Sequence, residues 1–331
     1  MFIPNICCTF AAEIKLVYCG LMTIAIFGNA MKTQTLDEVR HILQFMEEKN
    51  VHVVLSQELR QELNLREYPS FEHSYPKGTT ISDFKTHNTD FRFQESSNYE
   101  AIDFALSVGG DGTFLTSAAA IGQKNIPILG INCGHLGFLA EVQTQDVDEI
   151  MQKLVAGEYT IEQRSLLSLS VLDKDGTKRE GLIMAPNALN EIAILKEGLS
   201  SMLSIELKVN GELLHTYNSD GMVIATPTGS TAYNLSIGGP LMVPQSRGII
   251  LTPIAPHSLT VKPLVVPDDW KFDIRVSSRY DAFMVSVDGR SQSLSTDVTL
   301  HIERAPYTVK LVQIGDNSFL KSLRTKLNWG M

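Results

Sequence analysis

The hydrophobic period of the chain changes near residue 150, and that change restricts the possible folds more than any other feature. Up to about residue 145, short apolar runs alternate with stretches whose apolar residues recur at helical spacing. From about residue 159 the helical spacing all but disappears, and strand-like runs follow one another, separated by turn residues. Alternating strands and helices require a parallel sheet covered by helices, whereas successive strands joined by tight turns require stacked antiparallel sheets.

The first half reads as a Rossmann-like α/β domain over 22–145. Met22–Asn29 is a buried strand ending in a turn, and Thr35-Leu-Asp-Glu38 has the form of a capping box opening a helix with Leu36, Val39, Ile42, Leu43 and Met46 on one face. Val51–Leu55, Asp103–Val108 and Ile126–Ile131 are further strands, with helices near 57–64, 113–121 and 145–156. The polar segment 66–100 has no clear period and reads as a mobile flap or insertion. The second half, 146–316, reads as an all-β sandwich. Leu203–Val209 alternates cleanly before Asn210-Gly211, the strongest short hairpin signal, and Ala188–Leu195, Phe272–Val276, Phe283–Val287, Val298–Ile302 and Val309–Ile314 are further strands. A basic amphipathic helix at Asn317–Leu327 places 317–331 back on the first domain.

The 331 residues carry a net charge of −9, with 44% hydrophobic and 20% charged residues, a globular composition. The acidic balance argues against nucleic acid or an anionic membrane as a partner, but not against a phosphorylated ligand held by backbone amides. Cys7, Cys8, Cys19 and Cys133 form no staple framework or zinc site, which points to a reduced, cytoplasmic protein. No run approaches the ~18 apolar residues of a membrane span. Residues 1–21 lack a basic start and are interrupted by Glu13 and Lys15, so they read as a leader or a misassigned start.

Three constellations carry chemistry. Gly109-Gly110-Asp111-Gly112-Thr113 stands between a strand and a helix, where glycines allow close backbone approach and free helix amides suit phosphate. An acid in such a turn should be aimed at a hydroxyl or a metal ion; the plain alternative is an Asp cap on a strand–helix corner. Asn190-Glu191 sits inside an apolar strand, so one of the two polar residues should face the interior or a cleft. Asp220-Gly221 precedes Thr226-Pro-Thr-Gly-Ser-Thr-Ala-Tyr-Asn-Leu-Ser-Ile-Gly-Gly-Pro240, whose hydroxyls and amides can read a purine edge while Tyr233 stacks on its face.

In this order, these motifs resemble the NAD kinase family. Gly130-Ile-Asn-x-Gly-x-Leu-Gly-Phe-Leu139, Thr252–Leu259, Lys262–Val266 and Leu323-x-x-Lys326-Leu-x-Trp329 extend the resemblance over nearly all of the chain from Met22. The resemblance implies ATP-dependent phosphorylation of NAD at the 2′-hydroxyl of its adenosine ribose, with Asp111 as the base. It implies that Gly109, Gly110, Gly112 and Thr113 cradle the ATP phosphates with a divalent metal cation, magnesium or similar. It implies NAD contacts from Asp111, Gly112, Asn190, Glu191, Asp220, Thr231, Ala232, Tyr233, Asn234, Leu235, Ser236 and Ala255, and assembly as a homodimer or homotetramer. Asn218 stands where the family often has a basic residue and Asp288-Gly289-Arg290 where it often has Asp-Gly-Gln, making Arg290 a candidate phosphate contact. The competing readings are a lipid kinase of the same superfamily and a non-catalytic NAD- or NADP-sensing module.

Overall fold

The computed structural model describes residues 22–66, 68, 70–71, 102–134, 137–179, 185–198, 202–315 and 319–330. The expectations for 1–21 and for nearly all of 66–100 fall outside these residues. Along the chain, β1 (Thr23–Gly28), α1 (Thr33–Glu48), β2 (His52–Ser56), α2 (Gln57–Glu62) and β3 (Ser70–Phe71) come first. They lead to β4 (Phe104–Gly109), α3 (Asp111–Ile121), β5 (Ile128–Asn132), β6 (Val142–Gln143) and α4 (Val147–Val155). The strand-rich half holds β7 (Thr160–Leu172), β8 (Asn187–Ala188), β9 (Glu191–Lys196), β10 (Leu203–Val209), β11 (Glu212–Ser219) and β12 (Gly221–Ala225). After the short helix α5 (Tyr233–Ser236) it continues through β13 (Ile249–Ile254), β14 (Leu264–Val266), β15 (Phe272–Ser277), β16 (Ala282–Val287), β17 (Arg290–Ser295) and β18 (Thr299–Gln313) to α6 (Phe319–Leu327).

Strands β3-β2-β1-β4-β5 are mutually parallel, and the chain reverses direction across the sheet between β1 and β4. Ligands of open α/β sheets settle at the carboxyl ends of strands at such a reversal, here beside Gly28 and Gly109. The sheet does not stop at β5. Leu311 of β18 pairs in parallel with Ile128, and β7, β15, β10 and β11 continue from there, so one sheet of twelve described strands runs through both halves of the chain. Its far half faces a second sheet, ordered β14-β13-β12-β9-β16-β17. Leu169, Ile205, Ile274 and Leu300 of the large sheet pack against Ile194, Ile224, Leu251 and Phe283 of the small one, giving the expected sandwich core.

Three sequence expectations are corrected. The helix near 35 starts at Thr33 with Lys32 as its cap, so Thr35 and Glu38 lie inside α1 and form no capping box. Both are buried, and Thr35 lies against the sheet, where a Cβ on Gly28 would meet its Cγ2 at 2.9 Å. The strands expected at 298–302 and 309–314 are one bent strand, β18, whose register against β7 shifts between Arg304 and Thr308. Pro306 lies in that interval and has no N–H for the ladder. The strand expected through 188–195 is broken at Leu189-Asn190, and there the chain crosses from the large sheet to the small one.

Candidate functional site

Asp111 opens α3 without capping it, since Gly110 is the cap residue and no side chain contributes to the cap. Its carboxylate instead reaches the second glycine loop. Phe138 N donates to Oδ2 at 2.8 Å, and Leu139 N and Ala140 N donate to Oδ1 at 3.0 and 3.1 Å. A carboxylate offers about four lone-pair positions, so Oδ2 keeps one for a further donor. The approach is close enough that a Cβ on Gly137 would stand 1.9 Å from Asp111 Oδ1. In the turn itself a Cβ on Gly109 would strike Thr113 Oγ1 at 2.4 Å, so that glycine is demanded by packing. At Gly110 and Gly112 a Cβ would meet nothing within 4 Å, which leaves open space at a helix end whose first amides have no intrahelical acceptors.

The crossing at 189–191 is organised in the same way. Asp288, in the turn between β16 and β17, accepts Leu189 N at 2.7 Å, Asn190 N at 2.8 Å and Glu191 N at 3.0 Å. Asp288-Gly289 forms a two-residue hairpin turn, with φ of 47° and 81°. Thr226 ties the hydroxyl-rich run to the same crossing: its Oγ1 donates to Leu189 O at 2.5 Å and its N to Asn190 O at 2.9 Å. A Cβ on Gly229 would fall 2.1 Å from Asn190 O. Glu191 is therefore closed in, and its Oε2 is buried with no hydrogen-bond partner among the described residues. Burial first, and then the Asp288 charge, push its carboxyl up to about 8, against a pull from the Tyr233 amide.

The two loops meet around one apolar cluster. Phe114 and Ala118 of α3, Leu139 of the glycine loop and Leu189 beside Asn190 share it with Leu166 and Val309. Asp111, Asn190 and Glu191 are thus brought to one region by their neighbours. Tyr233 and Ser236 are exposed there, and Thr231, Ala232 and Leu235 are half-buried. The Asn234 side chain turns inward: Nδ2 donates to Ser230 O and Pro240 O, and Oδ1 accepts Thr252 Oγ1 at 2.7 Å. It frames the run, because it is fully buried.

Asp220 and Ala255 sit at the other end of β12. Gly221 pairs with Ile254 there while Ala225 pairs with Glu191, a separation of about 13 Å at ~3.3 Å per residue. Asp220 Oδ1 takes Lys196 Nζ at 2.7 Å. Arg290 Nη2 donates to Ala185 O and Asn187 O, both at 3.3 Å, so its visible work is to hold the backbone leading into the crossing. Burial pushes the Cys133 thiol up to about 11, in keeping with a small packed residue and not a nucleophile. The acceptor role of Asp288 and the amides of 138–140 were missed by sequence reasoning; only the turn at Asp288-Gly289 and the glycine spacing hinted at them.

Comparison with known proteins decides the family. The ATP-NAD kinase N-terminal domain model matches residues 24–159, and the ATP-NAD kinase C-terminal domain model matches residues 189–314. The chain belongs to the NAD kinase family. An NAD kinase of Bacteroides fragilis is 42% identical over 310 residues, covering 93% of this chain and 98% of the relative. One from Flavobacterium psychrophilum is 37% identical over 309 residues, with 93% and 98% covered. Among solved structures, a yeast NADH kinase complexed with NADH shares the fold at TM-score 0.76 and 23% identity, over 94% of this chain and 88% of that one. An NAD kinase from Archaeoglobus fulgidus in complex with ATP aligns at TM-score 0.66 and 25% identity, over 93% of this chain and 99% of that one. The two-domain NAD kinase architecture, an α/β half followed by a β-sheet half and a final helix, is the one described above.

Proposed function

We propose that this NAD kinase phosphorylates the 2′-hydroxyl of the adenosine ribose of NAD, with Asp111 as its base and ATP as donor. The observation that carries the assignment is the Asp111 carboxylate: three consecutive amides orient it, and one lone pair of Oδ2 is left at the edge of an open glycine turn. The ribose 2′-hydroxyl gives its proton to Oδ2 as its oxygen bonds to the γ-phosphorus, and the bond from that phosphorus to the β–γ bridging oxygen breaks to release ADP. The open backbone at Gly110 and Gly112, with Gly109 and Thr113 beneath it, receives phosphate at the α3 N-terminus. Asn190 and Glu191 meet ribose or phosphate groups of the dinucleotide, Thr231 and Ser236 read the adenine edge, and Tyr233 stacks on its face.

A divalent cation fits this donor set as an ion carried by the phosphates. Among the described residues no three His, Cys, Asp or Glu side chains group into a cage, and magnesium is commonly bound by one carboxylate plus substrate phosphates. The ATP phosphates and the Thr113 hydroxyl would hold it, and it would neutralise charge developing on the transferred group. We also assign the chain to the cytoplasm and to a homodimer or homotetramer. The distance of Asp220 and Ala255 from Glu191 suits contacts to a dinucleotide bound at a neighbouring protomer's Asp111.

Formation of NADP from NAD, ATP and magnesium tests the activity, and Asp111→Asn tests the base. The variant should lose ~100-fold or more in kcat while dinucleotide affinity by calorimetry stays within about threefold. Turnover near the wild-type rate would remove Asp111 from the role.

A further inference from the structure

We infer that Lys326, on the last helix, is a positioning residue for Asp111, so that the end of the chain sets the geometry of the acid at its centre. The inference rests on the base role proposed for Asp111. The Lys326 side chain is 6% exposed, and Nζ donates to Gly137 O. The ammonium stands 4.6 Å from the centre of the Phe138 ring and 3.9 Å from Glu141 Oε1. The next three amides along that strip, those of Phe138, Leu139 and Ala140, are the ones that donate to Asp111. One short segment is thus gripped from one side by the acid and from the other by the lysine.

Packing alone does not explain a lysine here. Burial opposes its charge and lowers its pKa, while Glu141 and Asp111 pull in the other direction. An apolar residue would fill the space at less cost. What an apolar residue lacks is a donor for the Gly137 carbonyl and a cation for the Phe138 face. Both contacts fix the peptide planes whose N–H groups aim the carboxylate. The rest of α6 is held by Leu323, which is buried, and by Ser322, whose hydroxyl lies 3.4 Å from Glu141. These contacts keep the helix docked when Lys326 is replaced.

The test compares Lys326→Met, which keeps the length of the stem, with Lys326→Arg, which keeps the charge. Values of kcat, KM for NAD, KM for ATP and Tm are read in the wild-type and Asp111→Asn backgrounds. Displacement of a reacting group by about an ångström costs on the order of 100-fold, so Lys326→Met should lower kcat by ~10- to 100-fold with both KM values within about threefold. Arginine should restore much of kcat, and in the Asp111→Asn background the Met change should cost less than about threefold. The inference is overturned if Lys326→Met leaves kcat unchanged, if the loss of rate is matched by a loss of folded protein, or if the same loss appears without Asp111. Phe138→Leu keeps the amide and removes the ring, and should give the same pattern at smaller size; an unchanged kcat there counts equally against it. Failure of the base role itself shows separately, as full turnover in Asp111→Asn alone.

Discussion

Two aspartates in this chain act on the backbone in the same way. Asp111 collects the amides of 138–140, in an irregular loop, and Asp288 those of 189–191, where the chain crosses into β9. Charge-assisted bonds of this kind are roughly twice as strong as neutral ones, enough to hold a short irregular segment in one shape. Glu191 differs because its buried oxygen has no donor. Its carboxyl is near 4.5 in an ordinary setting and about 8 here, so the folded protein holds a proton that the unfolded chain releases across that window. Folding stability should therefore fall as pH rises from about 5 to 8. Glu191→Gln removes the titration, and thermal melts should show the variant gaining more Tm over wild type at pH 8 than at pH 5. An equal difference at both values would mean that Glu191 is ionised in the fold throughout.

At the scale of elements, the turn between β16 and β17 matters beyond its size. Asp288 takes the left-handed conformation that the hairpin needs and offers the acceptor that the crossing needs. Asp288→Asn keeps the turn but sets an amide against three donors, and denaturant unfolding should show a loss of about 1–3 kcal/mol. Asp288→Ala should cost more, since alanine also resists the positive φ. The turn was legible from Asp288-Gly289, as were β1, β2, β4, β5, β10, β15 and β16, because period and turn residues are local properties; β13 and β14 drew no expectation. The crossing at Leu189-Asn190 was not legible. Its sequence is an apolar run interrupted by two polar residues, and what breaks the strand is a carboxylate about a hundred positions away. The capping box failed because the helix begins at Thr33: Thr35 and Glu38 have the right spacing, but both lie buried inside α1.

For the whole molecule, the two halves share a sheet through β5 and β18 and an apolar cluster joining α3 to Leu166, Leu189 and Val309. Neither half can lose its structure without exposing part of the other's core. Calorimetry should show one unfolding transition with equal calorimetric and van't Hoff enthalpies, and two resolved transitions would contradict the shared core. The sequence divided the chain by pattern into an α/β part and a sandwich, and composition carries no sign that one sheet joins them. The motifs marked candidates for chemistry, but how those candidates are held was not legible, because the holding is done by N–H groups that every residue except proline has. That has a consequence for how such a chain can drift over generations. At Leu139 and Leu189 the polypeptide itself answers the aspartate, so exchange of the side chain leaves the donor in place and only proline removes it. The anchor is pinned to one letter while its counterpart is written in almost any.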